Sequence, residues 1–332
     1  MLDNFKQLTD LSVKSSDFAK NVNLLSLEID PLVQSGVVAH DKALDEFLTN
    51  CVNGINVFLY YVHIPYIPKP MSTPSESCRK ELALRQSLNK PFGEKDLAVV
   101  PNGVDPDGEH DLKSHIAKFW LLERKTRVMD SIQGLIADSL ANFGSDLLLD
   151  KTLEDGVSSP DNLISKHGII DAATQLGDQA GCLEFLVVHS AVYLKMKQLG
   201  LTEIENFPGT LTFSPRYNIL CDDTLTEAPI PAGTNTNPEA PKAYYSYLFG
   251  KGAFVTGVGI PGVPIEVTRD ALACHGGGHD TLISRVELVI HPRGYKCNLN
   301  ATPTHAQLQE AGTWTRVWDR KSIPLAVIKT RG

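Results

Sequence analysis

The stretch that decides the fold is residues 111–143, which read DLKSHIAKFWLLERKTRVMDSIQGLIADSLANF. From Leu112 to Phe143 the large apolar side chains recur at intervals of three and four residues, with charged residues between them. This spacing places the apolar side chains on one face of a helix. Asp111 is expected to be its N-cap and Gly144 its C′ residue. At 1.5 Å per residue the helix would be about 45–50 Å long, which favours a structural spine over the core of a globular enzyme.

The first fifty residues are weakly patterned. Residues 18–30 are predicted to form a short helix that ends at Pro31, residues 32–38 an extended segment, and residues 41–48 a second helix. These segments have too few apolar residues for a core of their own. We therefore expect them to lie either on the rest of the chain or on a neighbouring molecule.

A proline-rich segment precedes the long helix. Residues 55–62, INVFLYYV, are rich in β-branched and aromatic side chains and are predicted to form a strand. Residues 63–95 then contain five prolines, separated by serine and basic residues. Because proline lacks a backbone N–H, we expect this segment to form neither a helix nor a central strand. An irregular segment of this length is uncommon in a compact domain and usually serves binding.

An α/β block follows the long helix. After a polar loop over residues 145–160, the pattern predicts a helix over 162–177, a buried strand over 184–188 and a helix over 190–199. Ser190 is expected to cap the last of these helices.

The last third of the chain is rich in β-strand signals. We expect a strand over residues 210–221 that is interrupted at a proline, and an exposed loop over 225–243. Apolar and polar residues alternate over 285–291, which is typical of a half-buried strand, and residues 323–327 begin a second such strand. The predicted fold class is α+β.

The composition excludes several classes of protein. The 332 residues carry 31 basic and 39 acidic side chains, a net charge of −8, which argues against a dedicated nucleic-acid-binding protein. No window approaches the ~18 consecutive apolar residues of a membrane span, and the N-terminus lacks the layout of a signal peptide. The six cysteines form no CxxC pair and are predicted to be reduced thiols, with Cys182 and Cys221 as small core residues.

The charge is unevenly distributed along the chain. Residues 314–332 carry a local charge of +4, from five basic side chains and one acidic side chain, whereas residues 103–111 carry four acidic side chains and no lysine or arginine. In an assembly of many copies, these two segments are candidates for contacts between subunits.

Two glycine-containing motifs resemble binding sites. Residues 257–262, GVGIPG, match the dinucleotide fingerprint GxGxxG, but prolines stand where a helix should begin, so we expect a plain β-turn. Residues 274–280, CHGGGHD, gather side chains that can bind a metal, but three consecutive glycines give them no rigid geometry. We expect a flexible loop between strands.

Two further motifs resemble a calcium site and a catalytic pair, and both are expected to have structural roles instead. Residues 105–111 resemble a calcium loop but lack the order of an EF-hand, so a polar cap before the long helix is expected. His189 and Ser190 place a base beside a nucleophile without the surrounding GxSxG elbow. The sequence therefore predicts no catalytic, cofactor-binding or metal-binding residues.

Several short strings occur in a fixed order over residues 32–332. They are LVQSGVV (32–38), LGD (176–178), VHSAVY (188–193), YLFGKGA (247–253), EVTRD (266–270), LISR (282–285), HPRG (291–294) and WTRVWDRKSIP (314–324). Together they resemble the major capsid proteins of tailed bacteriophages, which share the Hong Kong-phage capsid fold with encapsulins and herpesvirus shells. No such string is present in residues 1–30 or 63–110.

The resemblance implies a division of the chain into the parts of that fold. They are an N-terminal arm (1–53) across a neighbouring subunit, an extended E-loop (54–100), a peripheral or P domain with the spine helix (101–160), an axial or A domain (161–280), and the C-terminal strands of the P domain (281–332).

The resemblance also implies a function. The chain would be a structural protein, not an enzyme, that assembles into hexamers and pentamers of an icosahedral shell around double-stranded DNA. Its partners would be copies of itself, a separate scaffolding protein, a portal, a decoration or cement protein and the packaged DNA, with no membrane. Its location would be the virion, after assembly in the host cytoplasm. An encapsulin-type compartment and a metal-dependent α/β enzyme, which would use the cluster over residues 274–279, are the alternatives.

Some members of the family close their shell with a Lys–Asn isopeptide bond. Such a bond would need an E-loop lysine (Lys69, Lys80, Lys90 or Lys95) near an asparagine of another subunit and a carboxylate. No string in this sequence specifies that triplet, so the chemistry is not expected here.

Overall fold

The structure is a computed structural model that describes residues 16–50, 56–60, 80–93, 109–152, 162–201, 217–225, 227–228, 242–272 and 278–331. Its helices are α1 (Ser16–Glu28), α2 (Pro31–Gln34), α3 (Lys42–Asn50), α4 (Glu109–Asn142), α5 (Lys166–Thr174), α6 (Ser190–Gln198) and α7 (His305–Leu308). Its strands are β1 (Val38–His40), β2 (Asn56–Tyr60), β3 (Lys80–Gly93), β4 (Leu148–Asp150), β5 (Leu183–Val188), β6 (Asn218–Cys221), β7 (Glu227–Ala228), β8 (Ala243–Gly250), β9 (Phe254–Gly259), β10 (Ile265–Asp270), β11 (His279–Pro292), β12 (Tyr295–Cys297), β13 (Trp314–Arg316) and β14 (Leu325–Arg331). The α+β class is as predicted. Within these ranges, no helix combines the length and apolar character that a membrane span requires.

The strands of the described ranges form two six-stranded sheets and a two-stranded sheet of β12 and β13. The first large sheet has the order β1-β9-β11-β3-β2, with β10 also paired to β11, and the second has the order β4-β14-β8-β5-β6, with β7 paired to β8. Strands β9 and β10 precede residue 280 but belong to the first sheet, whereas β14 follows it and belongs to the second. The boundary predicted at residue 280, between the axial domain and the C-terminal strands of the peripheral domain, therefore does not coincide with a boundary between the two sheets.

The long helix predicted over residues 111–143 is confirmed as α4, which has 34 residues. Because α4 begins at Glu109, Asp111 lies inside the helix and is not its N-cap. Gly144 has a φ of 63°, the left-handed conformation expected at C′. The buried face of α4 packs into one hydrophobic core to which both six-stranded sheets contribute.

The second large sheet is covered on both faces. On β8, Tyr245, Tyr247 and Phe249 lie in the core shared with α4, while Tyr244 and Leu248 lie in a second core with α5 and α6. All eight residues of β8 are buried. A strand of this kind shows no alternation of apolar and polar residues, so sequence periodicity does not reveal it.

The prediction of an extended segment over residues 32–38 is wrong for the first half of that segment. Residues 31–34 form α2, because Pro31 at the first helical position already has the φ that a helix needs. The Asp30 side chain caps α2 by accepting a hydrogen bond from Leu32 N–H at 3.0 Å. The extended conformation begins only at Val38, where β1 pairs in parallel with β9.

The first fifty residues pack on their own chain as far as they are described. Helix α1 lies against α4, and its Phe18 and Val22 belong to the main core. Helix α3, predicted over residues 41–48, packs Leu44 and Leu48 onto the first sheet. For residues 16–50, packing on the rest of the chain is therefore observed, and the position of the arm across a neighbouring subunit stays a prediction; residues 1–15 lie outside the described ranges.

The prediction that residues 63–95 contain no central strand is wrong. Strand β3 pairs with β2 through residues 80–84 and with β11 through residues 85–93. Pro91 is tolerated because no described strand pairs with the other edge of β3 at that point, so its missing N–H can face that edge. The remaining prolines of this segment lie outside the described ranges.

The α/β block departs from its predicted boundaries. The polar loop predicted over residues 145–160 contains β4, which pairs in parallel with β14. The helix predicted over 162–177 is shorter, because Ser165 Oγ accepts a hydrogen bond from Gly168 N–H at 3.1 Å and caps α5 there. The strand and helix predicted next are confirmed as β5 and α6.

Both predicted strands near the C-terminus are present, as β11 and β14, but they are not half-buried as expected: residues 286–292 and all seven residues of β14 are buried. Ile323, Leu325 and Val327 lie together in the core shared with α4, on one face as expected. Of the strand predicted over residues 210–221, only its end is described, as β6, and the loop predicted over 225–243 contains β7.

The basic C-terminal segment makes its main contacts inside the subunit. Arg316 binds both carboxylate oxygens of Asp146, at 2.6 and 2.7 Å, and Lys329 Nζ lies 3.0 Å from Asp150 Oδ2. Arg320 Nε donates to the Asp146 carbonyl at 2.9 Å. These contacts stabilise the chain itself, and the pairing of this segment with another copy stays a prediction.

Asp146 is expected to make the stability of the fold depend on pH. Burial alone would raise the pKa of Asp146, but hydrogen bonds from Arg316 and Ser139 outweigh it and hold the pKa below the ordinary 3.8. A carboxylate with a lowered pKa contributes stability above its unfolded-state pKa, and that contribution is lost as pH falls through the folded-state value.

We therefore expect Asp146→Asn to lower the free energy of unfolding at pH 7 by about 1 kcal/mol, a low value for a charged hydrogen bond because the pair is partly exposed. The difference from the wild-type protein should shrink below about pH 5, measured by urea unfolding across pH. Asp171→Asn, whose carboxylate is 3.6 Å from Lys151 and largely exposed, is the control and should change little. An equal loss for Asp146→Asn at pH 7 and pH 3 would contradict the assignment.

Candidate assembly surfaces

The first half of the GxGxxG motif lies in a strand, and its second half, residues 260–262, lies in the bend between β9 and β10. Gly257 and Gly259 belong to β9, against which α3 packs closely. A Cβ at Gly257 would lie 2.5 Å from Leu44, and one at Gly259 would lie 2.5 Å from Leu48. Both glycines are therefore explained by the close approach of a helix to the sheet.

The metal-capable cluster is only partly described. Residues 273–277 lie outside the described ranges, and Asp280 forms an ion pair with Arg269 at 3.1 Å. Among the described residues, no group of three or more metal-capable side chains comes together. Of the calcium-like segment, residues 105–108 also lie outside the description.

His189, and not Ser190 as predicted, caps the N-terminus of α6. His189 is the N-cap of α6, and its Nδ1 accepts a hydrogen bond from Ala191 N–H at 3.1 Å. Its ring stacks on Tyr244 at 4.5 Å between centroids. Asp223 accepts from Ser190 N–H at 3.0 Å. The imidazole nitrogen that faces the backbone is thus occupied by capping.

Two cysteines predicted to be core residues, Cys182 and Cys221, are exposed. They lie at the ends of β5 and β6, where the apolar run meets the surface. Of the four lysines considered for cross-linking, only Lys90 has a described side chain, and its Nζ lies 5.3 Å from the centre of the Phe119 ring. That position is a cation–π contact within the subunit.

A buried ion pair joins the N-terminal helices to the spine. Arg124 on α4 and Asp30 at the start of α2 are about 2% and 1% exposed, and Arg124 Nε donates to Asp30 Oδ2 at 2.9 Å. Arg124 also donates to the Ser26 carbonyl at 2.5 Å. Burial lowers the pKa of Arg124, and the charge and hydrogen bond of Asp30 oppose that effect. The pair fixes the direction in which the chain leaves α1.

Helix α4 makes two further polar contacts along its length. Lys125 Nζ lies 2.5 Å from Asp222 Oδ2, next to the end of β6 in the second sheet. His305, at the start of α7, places Nδ1 2.6 Å from Asp130 and Nε2 3.3 Å from Glu123. The spine thus holds both the second sheet and the segment before β13.

The described surface carries large apolar side chains in several places. At the end of α4, Leu140 and Phe143 are 55% and 42% exposed, and on α6 Leu194 is 59% exposed. Leu272, at the β10–β11 hairpin, is 90% exposed. Single exposed apolar side chains are common on protein surfaces, and only a contiguous apolar patch would by itself indicate a binding surface.

A groove lies between α1, α3 and the end of β9. Its volume is about 520 Å³, and apolar residues that include Leu24, Val258 and Ile260 line it beside Lys20 and Glu46. The groove and the exposed apolar residues are the features that a subunit of a larger assembly would use. Sequence periodicity gives no signal for the groove, because residues that are distant in the chain line it. Leu140 and Phe143 belong to the periodic apolar pattern of the long helix and are nevertheless exposed.

No protein-family model matches the chain. The solved structures that resemble it include the capsid of Ralstonia phage GP4, with a TM-score of 0.47 and 11% identity over 100% of this chain and 96% of that chain. The satellite phage P4 procapsid, including its size determination protein, gives a TM-score of 0.47 and 5% identity over 99% and 93% of the two chains. An encapsulin complex from Synechococcus elongatus gives a TM-score of 0.37 and 11% identity over 90% and 87%. Each of these TM-scores is below 0.5, so the assignment to a family depends on sequence.

The sequence relationship is with the major capsid protein of Bacillus phage SPP1. The two chains are 32% identical over 243 residues, which cover 71% of this chain and 68% of that protein. At that identity and coverage, the chain belongs to the family of tailed-bacteriophage major capsid proteins.

Proposed function

We propose that the chain forms the wall of an icosahedral phage head, as hexamers and pentamers around double-stranded DNA. The observation that carries the proposal is the 32% identity with a major capsid protein across two thirds of both chains. The exposed apolar residues of α4, α6 and the β10–β11 hairpin support it, because an assembly of many copies would bury them. In this role the chain is a structural protein and not an enzyme.

The two large sheets suggest how the domains divide. The second sheet, with α5 and α6 on one face, would be the axial domain, and the first sheet, with the spine helix α4, would be the peripheral domain. Strands β2 and β3 would form the base of the E-loop, residues 54–100. This division assigns β14 to the axial domain and β9 to the peripheral domain.

Further partners follow from the proposed role. Subunits would assemble in the host cytoplasm on a separate scaffolding protein, around a portal, and the finished shell in the virion would bind a decoration or cement protein. The net charge of −8 suits a wall that confines DNA, because an acidic protein makes few of the tight, salt-dependent phosphate contacts that would hold the DNA to it.

Cryo-electron microscopy of the expressed chain, alone and with a phage scaffolding protein, tests the proposal. We expect closed shells with capsomers of five and six subunits. A chain that stays folded and monomeric under both conditions would refute the proposal. Nuclease-resistant double-stranded DNA is expected in particles isolated from a producing host, whereas a packaged enzyme in its place would favour the encapsulin alternative.

A further inference from the structure

One edge of the first sheet, along β9, is covered by a helix in place of a strand. Strand β1 pairs with β9 only from Phe254 to Thr256, and the pairing ends where Asp41 N–H donates to the Thr256 carbonyl at 3.0 Å. Beyond Thr256, no described strand pairs with this side of β9, and the chain continues from β1 into α3, which packs there. Helix α3 therefore covers the part of the edge that β1 leaves open.

Two side chains of α3 bind the backbone of β9 as a neighbouring strand would. Asp45 Oδ1 accepts a hydrogen bond from Val258 N–H at 2.7 Å, and Thr49 Oγ1 accepts one from Ile260 N–H at 3.1 Å. Residues four apart lie on one helix face and rise about 6.0 Å along the axis. Alternate residues of a strand direct their N–H groups to the same edge about 6.6 Å apart. The two spacings nearly match, so each N–H group meets one acceptor.

The Asp45 carboxylate is held in place by more than its bond to β9. Its Oδ2 lies 2.6 Å from His40 Nε2 on β1, so the last residue of the paired strand orients the first acceptor of the helix. The helix comes close enough because β9 has glycines at positions 257 and 259, where a Cβ would overlap α3. Strand, helix and glycines thus form one arrangement that closes the edge.

An edge of this composition pairs readily with other chains when it is open. No charged residue occurs between Lys251 and Glu266, and Phe254, Val255 and Val258 give β9 a high β-propensity. Free N–H groups on an uncharged edge are a template for a strand from another molecule. Glycine-containing strands also specify the register of such pairing weakly.

We propose that α3 guards this edge, because its side chains bind the backbone donors of β9 and so prevent a strand of a second copy from pairing there. The groove of about 520 Å³ described above is lined by Asp45, Thr49, Val258 and Ile260, so a second copy can reach the edge once the helix acceptors are removed. The guard leaves association to other surfaces of the chain. The inference concerns the single chain and does not rest on the proposed function.

Amide hydrogen exchange of the full chain tests the two hydrogen bonds. The double variant Asp45→Ala/Thr49→Val removes both acceptors, and Thr49→Val alone removes only the exposed one. In the double variant, the amides of Val258 and Ile260 should exchange at least about tenfold faster than in the wild-type chain. The amides of β9 that face β11 should change less, because their partners are untouched.

Sedimentation of the purified chain, at a concentration where the wild-type chain is monomeric, tests the pairing. The double variant should lose most of its monomer peak to larger species, and Thr49→Val should lose a smaller part of it. Adding Ile260→Lys to the double variant places a charge on the open edge and should restore the monomer peak. Because only this chain is present, any association is with a second copy.

Two control variants change α3 without opening the edge. Asp45→Asn keeps an oxygen that accepts from Val258 N–H, and Glu46→Ala alters an exposed side chain of the same helix. Both should match the wild-type chain in exchange and in sedimentation. The inference is overturned if the double variant stays monomeric, if Glu46→Ala associates as strongly, or if Ile260→Lys does not restore the monomer. Should the double variant unfold, Thr49→Val decides, and unchanged Ile260 exchange with an unchanged monomer peak would refute the guard.

Discussion

Replacing Gly134 by alanine is expected to destabilise the subunit by about 3 kcal/mol, although the same change on an exposed helix usually stabilises by up to about 1 kcal/mol. Gly134 lies in the middle of α4, where the segment between α7 and β13 crosses it. A Cβ there would overlap the Leu308 carbonyl oxygen and would lie 2.7 Å from the Trp314 ring. The contact with Leu308 is with backbone, so it cannot be relieved by rotating a side chain.

A hydrogen bond within the segment that crosses Gly134 makes it energetically costly for that segment to move away from the helix. Trp314 Nε1 donates to the Leu308 carbonyl at 2.9 Å, and Trp314 is 3% exposed. A methyl group at Gly134 would have to displace both partners of that bond. We therefore expect the loss of stability to be accompanied by a change in tryptophan fluorescence and by the loss of assembly.

Urea unfolding of Gly134→Ala beside Gly181→Ala measures the effect. A Cβ added at Gly181 would meet no described heavy atom within 4 Å, and the backbone conformation there is ordinary, so the alanine variant should unfold at nearly the wild-type midpoint. A midpoint for Gly134→Ala that equals or exceeds that of the control would contradict the packing described here.

Replacing Arg124 by methionine is expected to cost about 3–5 kcal/mol, because it leaves the Asp30 carboxylate buried without its cation. The loss should fall first on α1 and α2, which this pair holds against the spine helix. Hydrogen exchange should then show faster opening of residues 16–34 than of the rest of the core. The same sites should also become accessible to proteases.

A double-mutant cycle tests whether the pair acts as a unit. Arg124→Met combined with Asp30→Leu should recover much of the loss, since two apolar residues of similar size replace a buried ion pair at little cost. The recovery should be incomplete, because Asp30 also caps α2. Arg285→Met removes an exposed pair with Glu266 and is expected to cost at most about 1 kcal/mol. Equal losses for Arg124→Met and Arg285→Met would refute the buried-pair interpretation.

Periodicity predicted helix α4 from its apolar face. The rest of the helix is not simply exposed, because the charged residues Arg124, Lys125, Arg127 and Asp130 are buried as well. Strand β11 alternates only near its start, where His279 and Thr281 are half-buried and Asp280 and Leu282 are buried. Strand β8 shows no alternation, because both of its faces are covered.

Predictions made from neighbouring residues failed where the role of a residue depends on a contact, or on an unpaired edge, that only the folded chain shows. Pro91 argued against a strand, but β3 is tolerated because its other edge has no described partner at that point. The glycines at 257 and 259 indicated a turn, whereas α3 requires them in a strand. Nothing in the sequence indicates that Arg316 is bound within the chain by Asp146, which lies 170 residues away.

By itself, the sequence determined the α+β class, the spine helix and the resemblance to capsid proteins, because apolar periodicity and short strings are properties of neighbouring residues. Only the tertiary structure decided which sheet each strand joins, that residues 16–50 pack on their own chain, and that Arg124 and Asp30 form a buried ion pair. Those features depend on which residues meet across the core. When two residues far apart in the sequence pair and become buried, the sequence pattern around each of them does not show it. The energetic effect of such a contact can therefore be read only from the folded chain.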